Sequence, residues 1–97
     1  MDMEKIAVEF LSALSSFTNE RRVELELPEG SSIATVLAAL HQRYGNKGTE
    51  RIFNHPRGLS PALVMMVNGV DIRYMDGIDT IVKEGDVVVC LPIIMGG

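Results

Sequence analysis

The sequence predicts a small α+β domain, with a mixed sheet of about five strands and one main helix on one face. Three observations carry this expectation. Two stretches of strict two-residue alternation open the chain, a single stretch with helical spacing follows, and an Asn-Gly pair later separates a short apolar run from a return strand. Alternation of period two turns one apolar row to a core, whereas spacings of three and four build a stripe along a helix.

Ile6, Val8 and Phe10 alternate with Lys5, Ala7 and Glu9, as a half-buried strand over residues 5–11 requires. Ser15, Ser16, Thr18 and Asn19 mark a turn. Over residues 22–27, Val23, Leu25 and Leu27 oppose Arg22, Glu24 and Glu26, and two such runs joined by polar residues read as an antiparallel hairpin. Pro28-Glu29-Gly30 breaks the second strand, and Ser31 or Ser32 then offers a hydroxyl to the orphan amides of a helix start. Ile33, Val36, Leu37, Leu40 and Tyr44 form one apolar stripe. Gly45-Asn46 is expected to end this helix, with glycine in the left-handed conformation.

Residues 46–62 are polar, carry Gly48, Pro56, Gly58 and Pro61, and read as a long loop or insertion pinned by Ile52 and Phe53. Leu63 to Val67 is wholly apolar, which predicts a buried central strand. Asn68-Gly69 is the strongest hairpin signal, because a type I′ turn needs positive φ at both central residues. Val70 to Tyr74 is the expected return strand, and Asp76-Gly77 and Glu84-Gly85 are further turns. Val87 to Leu91 is a β-branched last strand, and Pro92 is expected to bar its continuation into a central ladder. The first and last strands are expected to lie parallel and close the core around the helix. One helix covers one face of such a sheet and leaves the other solvated or held for a partner.

Ninety-seven residues make one domain with one core and little room for an enclosed active site. A 46% hydrophobic content with a formal charge of −4 argues against disorder. No basic cluster exceeds Arg21–Arg22, so nucleic acid is not an expected partner. Cys90 is the single cysteine, which rules out a disulfide within the chain and fits a reducing, cytoplasmic setting. The start lacks a signal-peptide pattern and no apolar run reaches the length of a membrane span, so no membrane partner is expected.

No Ser/His/Asp, Cys/His, paired-carboxylate or phosphate-loop pattern stands at a useful spacing, so the chain is not expected to catalyse a reaction alone. His41, His55 and Cys90 match no zinc spacing, and no metal is expected. Cys90, flanked by apolar residues, reads as a small core residue rather than a reactive thiol. Met65 and Met66 read as core filling, and Arg73, Tyr74 and Asp76 as a solvated edge.

The element order, Asn68-Gly69-Val70 in the hairpin, Gly85-Asp86 before the last strand, and the ending Leu91-Pro92-Ile93-Ile94-Met95-Gly96-Gly97 together resemble the ubiquitin-like β-grasp family. Within it, the chain is most similar to the sulfur carriers of the MoaD/ThiS group, in particular the MoaD-type small subunit of molybdopterin synthase. It departs from that pattern at Leu91, where an aromatic is usual, and at Ile93, where a second proline is usual. The insertion 46–60 fits the family resemblance least, while ThiS-type carriers are usually shorter and lack such a loop, which favours the MoaD side.

The resemblance implies a β-grasp domain over residues 1–91 and a flexible tail over 92–97. It implies that Gly97 is adenylated by a ubiquitin-activating-type enzyme using ATP and becomes a thiocarboxylate. The sulfur would then pass to molybdopterin (Mo/W cofactor) synthesis on a larger molybdopterin synthase subunit. No cofactor is expected on the carrier itself. Three alternatives stay open: a protein modifier forming isopeptide bonds, a sulfur carrier for thiamine or tRNA thiolation, and a binding subunit whose tail is irrelevant.

Glycine at 96 and 97 suits such chemistry, since without a Cβ the backbone can lie in a narrow channel and nothing shields the carbonyl carbon. Pro92 would launch the tail, and Ile93, Ile94 and Met95 would seat it in an apolar groove of the partner. The last strand is apolar on both sides, with Val87, Val89 and Leu91 on one and Val88 and Cys90 on the other. The resemblance places Val88 and Cys90 inward and Leu91 outward, which makes Val87, Val89 and Leu91, with Leu11, a candidate docking patch. An ordinary strand buried on both sides under the 46–60 loop is the competing reading.

Overall fold

The two alternating runs become neighbouring antiparallel strands, β1 (Met3–Phe10) and β2 (Arg22–Pro28), with Ile6 opposite Leu25 and Val8 opposite Val23. The structure, a computed structural model, describes residues 2–45, 50–56 and 58–93, the side chains of Glu50 and Arg51 excepted. The predicted inward residues of both strands are buried. The connection between the strands differs from the expected turn. Ala13–Thr18 is a short helix, α1. Leu14 and Thr18, four residues apart, are its buried side, and the Thr18 hydroxyl lies 3.2 Å from the Leu14 carbonyl. Ser15 and Ser16 form its outer surface, so their polarity reflects exposure rather than a turn. Asn19 then ends it with a φ of 60°.

Helix α2 (Ile33–Tyr44) buries Ile33, Val36, Leu37, Leu40 and Tyr44, the predicted stripe residue for residue. Each such side chain contributes roughly 1.5–3 kcal/mol on leaving water, so docking on the sheet rather than intrinsic propensity holds this helix. Ser32 is its N-cap, and the Ser32 amide donates to Thr35 Oγ1 at 3.3 Å. Ser31 instead turns its hydroxyl back to the Pro28 carbonyl. The expected left-handed end is not present at Gly45, whose φ of −56° is right-handed; its amide donates to the His41 carbonyl and so continues the helical pattern. Asn46 lies outside the described residues. Tyr44 meets Phe10 edge-on at 5.5 Å between ring centroids, and burial pushes the Tyr44 hydroxyl pKa up.

The expected loop holds a helical turn, α3 (Glu50–Phe53), and Phe53 is its anchor. Its ring lies 6.4 Å from Phe10 and 6.2 Å from Tyr44, and Ile52 packs on the margin of the same core. Gly48 lies outside the described residues. At Gly58 the φ of 91° is the left-handed backbone that favours glycine, and a Cβ there would come within 2.7 Å of Ile78 Cδ1, the tip of a side chain that would have to shift.

Strand β3 (Leu63–Val67) is followed by Asn68 and Gly69 with φ of 51° and 87°, the predicted turn, and by β4 (Val70–Asp71). The return strand is shorter than the expected Val70 to Tyr74. Asp71 accepts the Arg73 amide at 2.8 Å and starts a 3₁₀ turn over Ile72–Tyr74, which sends Ile72 into the core. Hydrogen bonds from the Arg73 guanidinium and amide hold the Asp71 carboxyl below its ordinary pKa. A second 3₁₀ turn spans Gly77–Asp79.

The last strand, β5 (Val87–Pro92), lies between β1 and β3, and the sheet order is β2-β1-β5-β3-β4. β5 runs parallel to β1, as predicted, and antiparallel to β3. Helix α2 covers the sheet face that carries Ile6, Val8, Leu25, Met65, Val88 and Cys90. No helix among the described residues is long and apolar enough to cross a membrane.

Candidate docking face and tail exit

Residues paired across a ladder share a face of the sheet. The pairs Ala7–Val87, Glu9–Val89, Met66–Val89 and Val64–Leu91 therefore gather Val87, Val89, Leu91, Val64 and Met66 on the face away from α2. All five are half-buried, whereas Val88 and Cys90 are sealed in the core. Three of the predicted patch residues, Val87, Val89 and Leu91, are thus neighbours on one surface. Leu11 follows Phe10 at the rim, is exposed, and donates its amide to the Cys90 carbonyl at 3.0 Å. Val64 and Met66 correct the reading of residues 63–67 as buried throughout. β3 alternates, with Leu63, Met65 and Val67 inward, so Met65 fills the core and Met66 belongs to the open face.

This apolar centre has a charged border on the β2 side. Register places Glu24 beside Ala7 and Glu26 beside Lys5 on the same face, and Arg22 pairs there with Glu9. Lys5 Nζ lies 3.9 Å from Glu26. On the opposite border stands Asp71, opposite Met66 and tied to Arg73.

The strand runs further than expected. Pro92 stands opposite Leu63 inside the ladder, and the Ile93 amide donates to the Ala62 carbonyl at 2.8 Å, so the tail does not leave the sheet at residue 92. The Cys90 carbonyl faces β1, and Pro92 is next in the same row. β1 has ended at Phe10 by that level, so the missing proline N–H removes no ladder bond. On the other side, Ser60 is buried, accepts the Ala62 amide on its hydroxyl at 3.1 Å and the Leu63 amide on its carbonyl at 3.0 Å. That turn sets the Ala62 carbonyl where Ile93 meets it. Ser60 and Ala62 had no mark in the sequence beyond the Ser-Pro pair, because their role depends on a strand thirty residues away finding its register. Pro92 and Ile93 are half-buried, while Ile94, Met95, Gly96 and Gly97 lie outside the described residues.

Cys90 points inward and is fully buried. Burial pushes its thiol pKa up to about 12, the opposite of what a nucleophilic cysteine needs. Among the described residues no cluster of His, Cys, Asp and Glu is arranged to hold a metal ion.

A five-stranded mixed sheet in this order, clasping one main helix and ending on a central strand, defines the ubiquitin-like β-grasp proteins. The model of the ThiS family matches residues 8–97, and the chain belongs to that family of sulfur carriers and ubiquitin-like modifiers. A candidate sulfur carrier protein of Archaeoglobus fulgidus is 34% identical over 74 residues, covering 76% of this chain and 84% of the relative. Ubiquitin-related modifier 1 of Encephalitozoon cuniculi is 36% identical over 83 residues, covering 81% of this chain and 86% of its own. Among solved structures, small archaeal modifier protein 1 of Methanosarcina acetivorans superposes with a TM-score of 0.80 at 20% identity, over 100% of both chains. A chain of the BexX/CysO complex of Amycolatopsis orientalis does so with a TM-score of 0.76 at 25% identity, over 95% of this chain and 99% of its own.

Proposed function

We propose that the chain is a sulfur carrier that works through the carboxylate of Gly97, donating sulfur in molybdopterin synthesis. One observation carries this reading: the family match runs to Gly97 on a chain whose last strand borders an open apolar sheet face. A carboxylate resists nucleophiles, so an activating enzyme must first join it to the α-phosphate of ATP, releasing pyrophosphate. A cysteine persulfide then displaces AMP from the acyl-adenylate. A second thiol cleaves the resulting acyl disulfide, becoming a disulfide itself and leaving the thiocarboxylate. Thiols and ATP of this kind belong to a reducing cytoplasm.

In this reading the carrier supplies no catalytic group. Val87, Val89, Leu91 and Leu11, joined by Val64 and Met66, form the surface on which the activating enzyme and the larger molybdopterin synthase subunit dock in turn. Pro92 and Ile93, held at the end of the sheet, border the docking surface; Ile94 and Met95 lead the chain into the partner's channel, and Gly96 and Gly97 are the reacting end. A relative of this fold captured in the BexX/CysO complex supports a carrier that acts on a partner. Glu24, which joins no ion pair among the described residues, suits a basic group on the partner's rim.

Incubation with the activating enzyme, ATP and a sulfur donor, followed by intact mass, tests the proposal. The expected product has sulfur in place of one terminal oxygen, and the variant lacking Gly96 and Gly97 stays unmodified while retaining its fold. An unchanged mass in the complete system defeats it.

A second reading, a protein modifier joined to lysines, is favoured by the 36% identity to ubiquitin-related modifier 1. It uses the same adenylate, captured by an amine. Glycine-glycine remnants on cellular lysines after cyanogen bromide cleavage at Met95, lost with Gly97, identify that use. Loss of pterin cofactor on gene deletion identifies the first, while thiamine or thiolated-tRNA loss redirects the sulfur to those products.

A further inference from the structure

The inward row of β1 does not begin with a hydrocarbon. Glu4 precedes Ile6 by two residues on the same side of the strand and is only 4% exposed. Its Oε1 accepts a long hydrogen bond from the Gly30 amide at 3.4 Å, and its Oε2 is buried with no hydrogen-bond partner among the described residues. A carboxylate taken from water in this way is destabilised unless a cation or strong donors reach it.

Glu4 lines a surface cleft of about 530 Å³, together with Met3, Glu29, Ile81, Lys83 and Glu84. Met3 and Ile81 are exposed apolar side chains. Lys83 borders the cleft, but no ion pair joins it to Glu4 among the described residues. The cleft thus combines a buried anionic end, apolar walls and two further acids at its mouth. It stands at the start of β1, whereas Ile93 follows the end of the parallel strand β5, so it lies at the opposite end of the sheet from Ile93.

We propose that this cleft binds an alkylammonium group, the side chain of a lysine presented by a partner protein. Its ammonium meets the Glu4 carboxylate once that side chain turns its Oε2, sealed from solvent in the free protein, toward the cleft, and its methylenes lie against Met3 and Ile81. A compact ammonium matches one free oxygen, while a guanidinium needs two parallel acceptors and Oε1 is turned to Gly30. The site is independent of the chemistry at Gly97.

The test is a titration of the full chain with n-butylammonium, followed by amide NMR shifts, with n-butanol as the neutral isostere. Saturable shifts at Gly30 and Glu84 in the millimolar range are expected with the ammonium and not with the alcohol. Glu4→Gln should weaken the binding about tenfold, the loss of one charge-assisted contact. The comparison of amine with alcohol on the unaltered protein stands even if that variant fails to fold. Absence of saturable shifts, an equal response to the alcohol, or unchanged affinity in a folded Glu4→Gln protein overturns the proposal.

Discussion

The Ile93 amide donates to the Ala62 carbonyl across 2.8 Å, one residue beyond the ladder pair Leu63–Pro92. The sheet therefore holds the chain past the proline, and the buried Ser60 turn holds the acceptor. The Ile93 amide should exchange with solvent slowly in the native protein. Ser60→Ala should cost about 1 kcal/mol and speed that exchange more than exchange at Val88, as hydrogen-exchange NMR would register. Equal rates at Ile93 in the two proteins would contradict the coupling.

Leu91 and Met65 lie in adjacent strands on opposite faces of the sheet. Leu91→Asp should leave the protein folded and weaken capture of the activating enzyme by tenfold or more, as measured by calorimetry. Met65→Ala should do the reverse, with destabilisation of about 2–5 kcal/mol in urea and little change in affinity once folded.

Burial of Cys90 has a pH consequence. Its thiol is raised from an ordinary value of about 8.5 to about 12 on folding. The unfolded chain therefore loses its proton first. The protonated thiol's contribution to stability is complete below the unfolded pKa and is lost as pH rises towards the folded one. Denaturant midpoints should fall between about pH 9 and 12. At neutral pH iodoacetamide should label Cys90 only after unfolding, and rapid labelling of the native protein would contradict its place in the core.

Asn68 bears on the β3–β4 turn in two ways. It takes a φ of 51°, and its side chain bridges Asp86 Oδ1 and the Val87 amide, each at 2.9 Å. Asn68→Ala should lose both bonds and strain the turn, costing about 1–3 kcal/mol in thermal or urea unfolding. Asn68→Gly should cost less than Asn68→Ala, since glycine tolerates the backbone conformation.

Much of the fold was legible in the chain itself. The inward rows of β1 and β2, the α2 stripe and the Asn68-Gly69 turn come from periodicity and turn chemistry, and the parallel pairing of the first and last strands from the need to close the core around the helix. Helix α1 was hidden because its buried side is only Leu14 and Thr18, too few to display a period. The end of β4 was hidden because Asp71 competes for the backbone through its own side chain. Gly45 missed its expected left-handed end because the local preference of glycine gave way to one more helical hydrogen bond.

For the site, alternation alone grouped Val87, Val89 and Leu91 apart from Val88 and Cys90, since side chains of a strand alternate strictly. The tertiary structure decided which group met α2, because both are apolar and burial depends on what stands behind the strand. It also decided that Pro92 could stay in a ladder, a question answered by where β1 stops. Likewise, the burial of Glu4 at the head of a hydrocarbon row, with the Gly30 amide donating to its carboxylate, is set by what packs at the start of β1 and not by the alternation. Local chemistry specifies which residues share a face; only the assembled sheet specifies what that face meets.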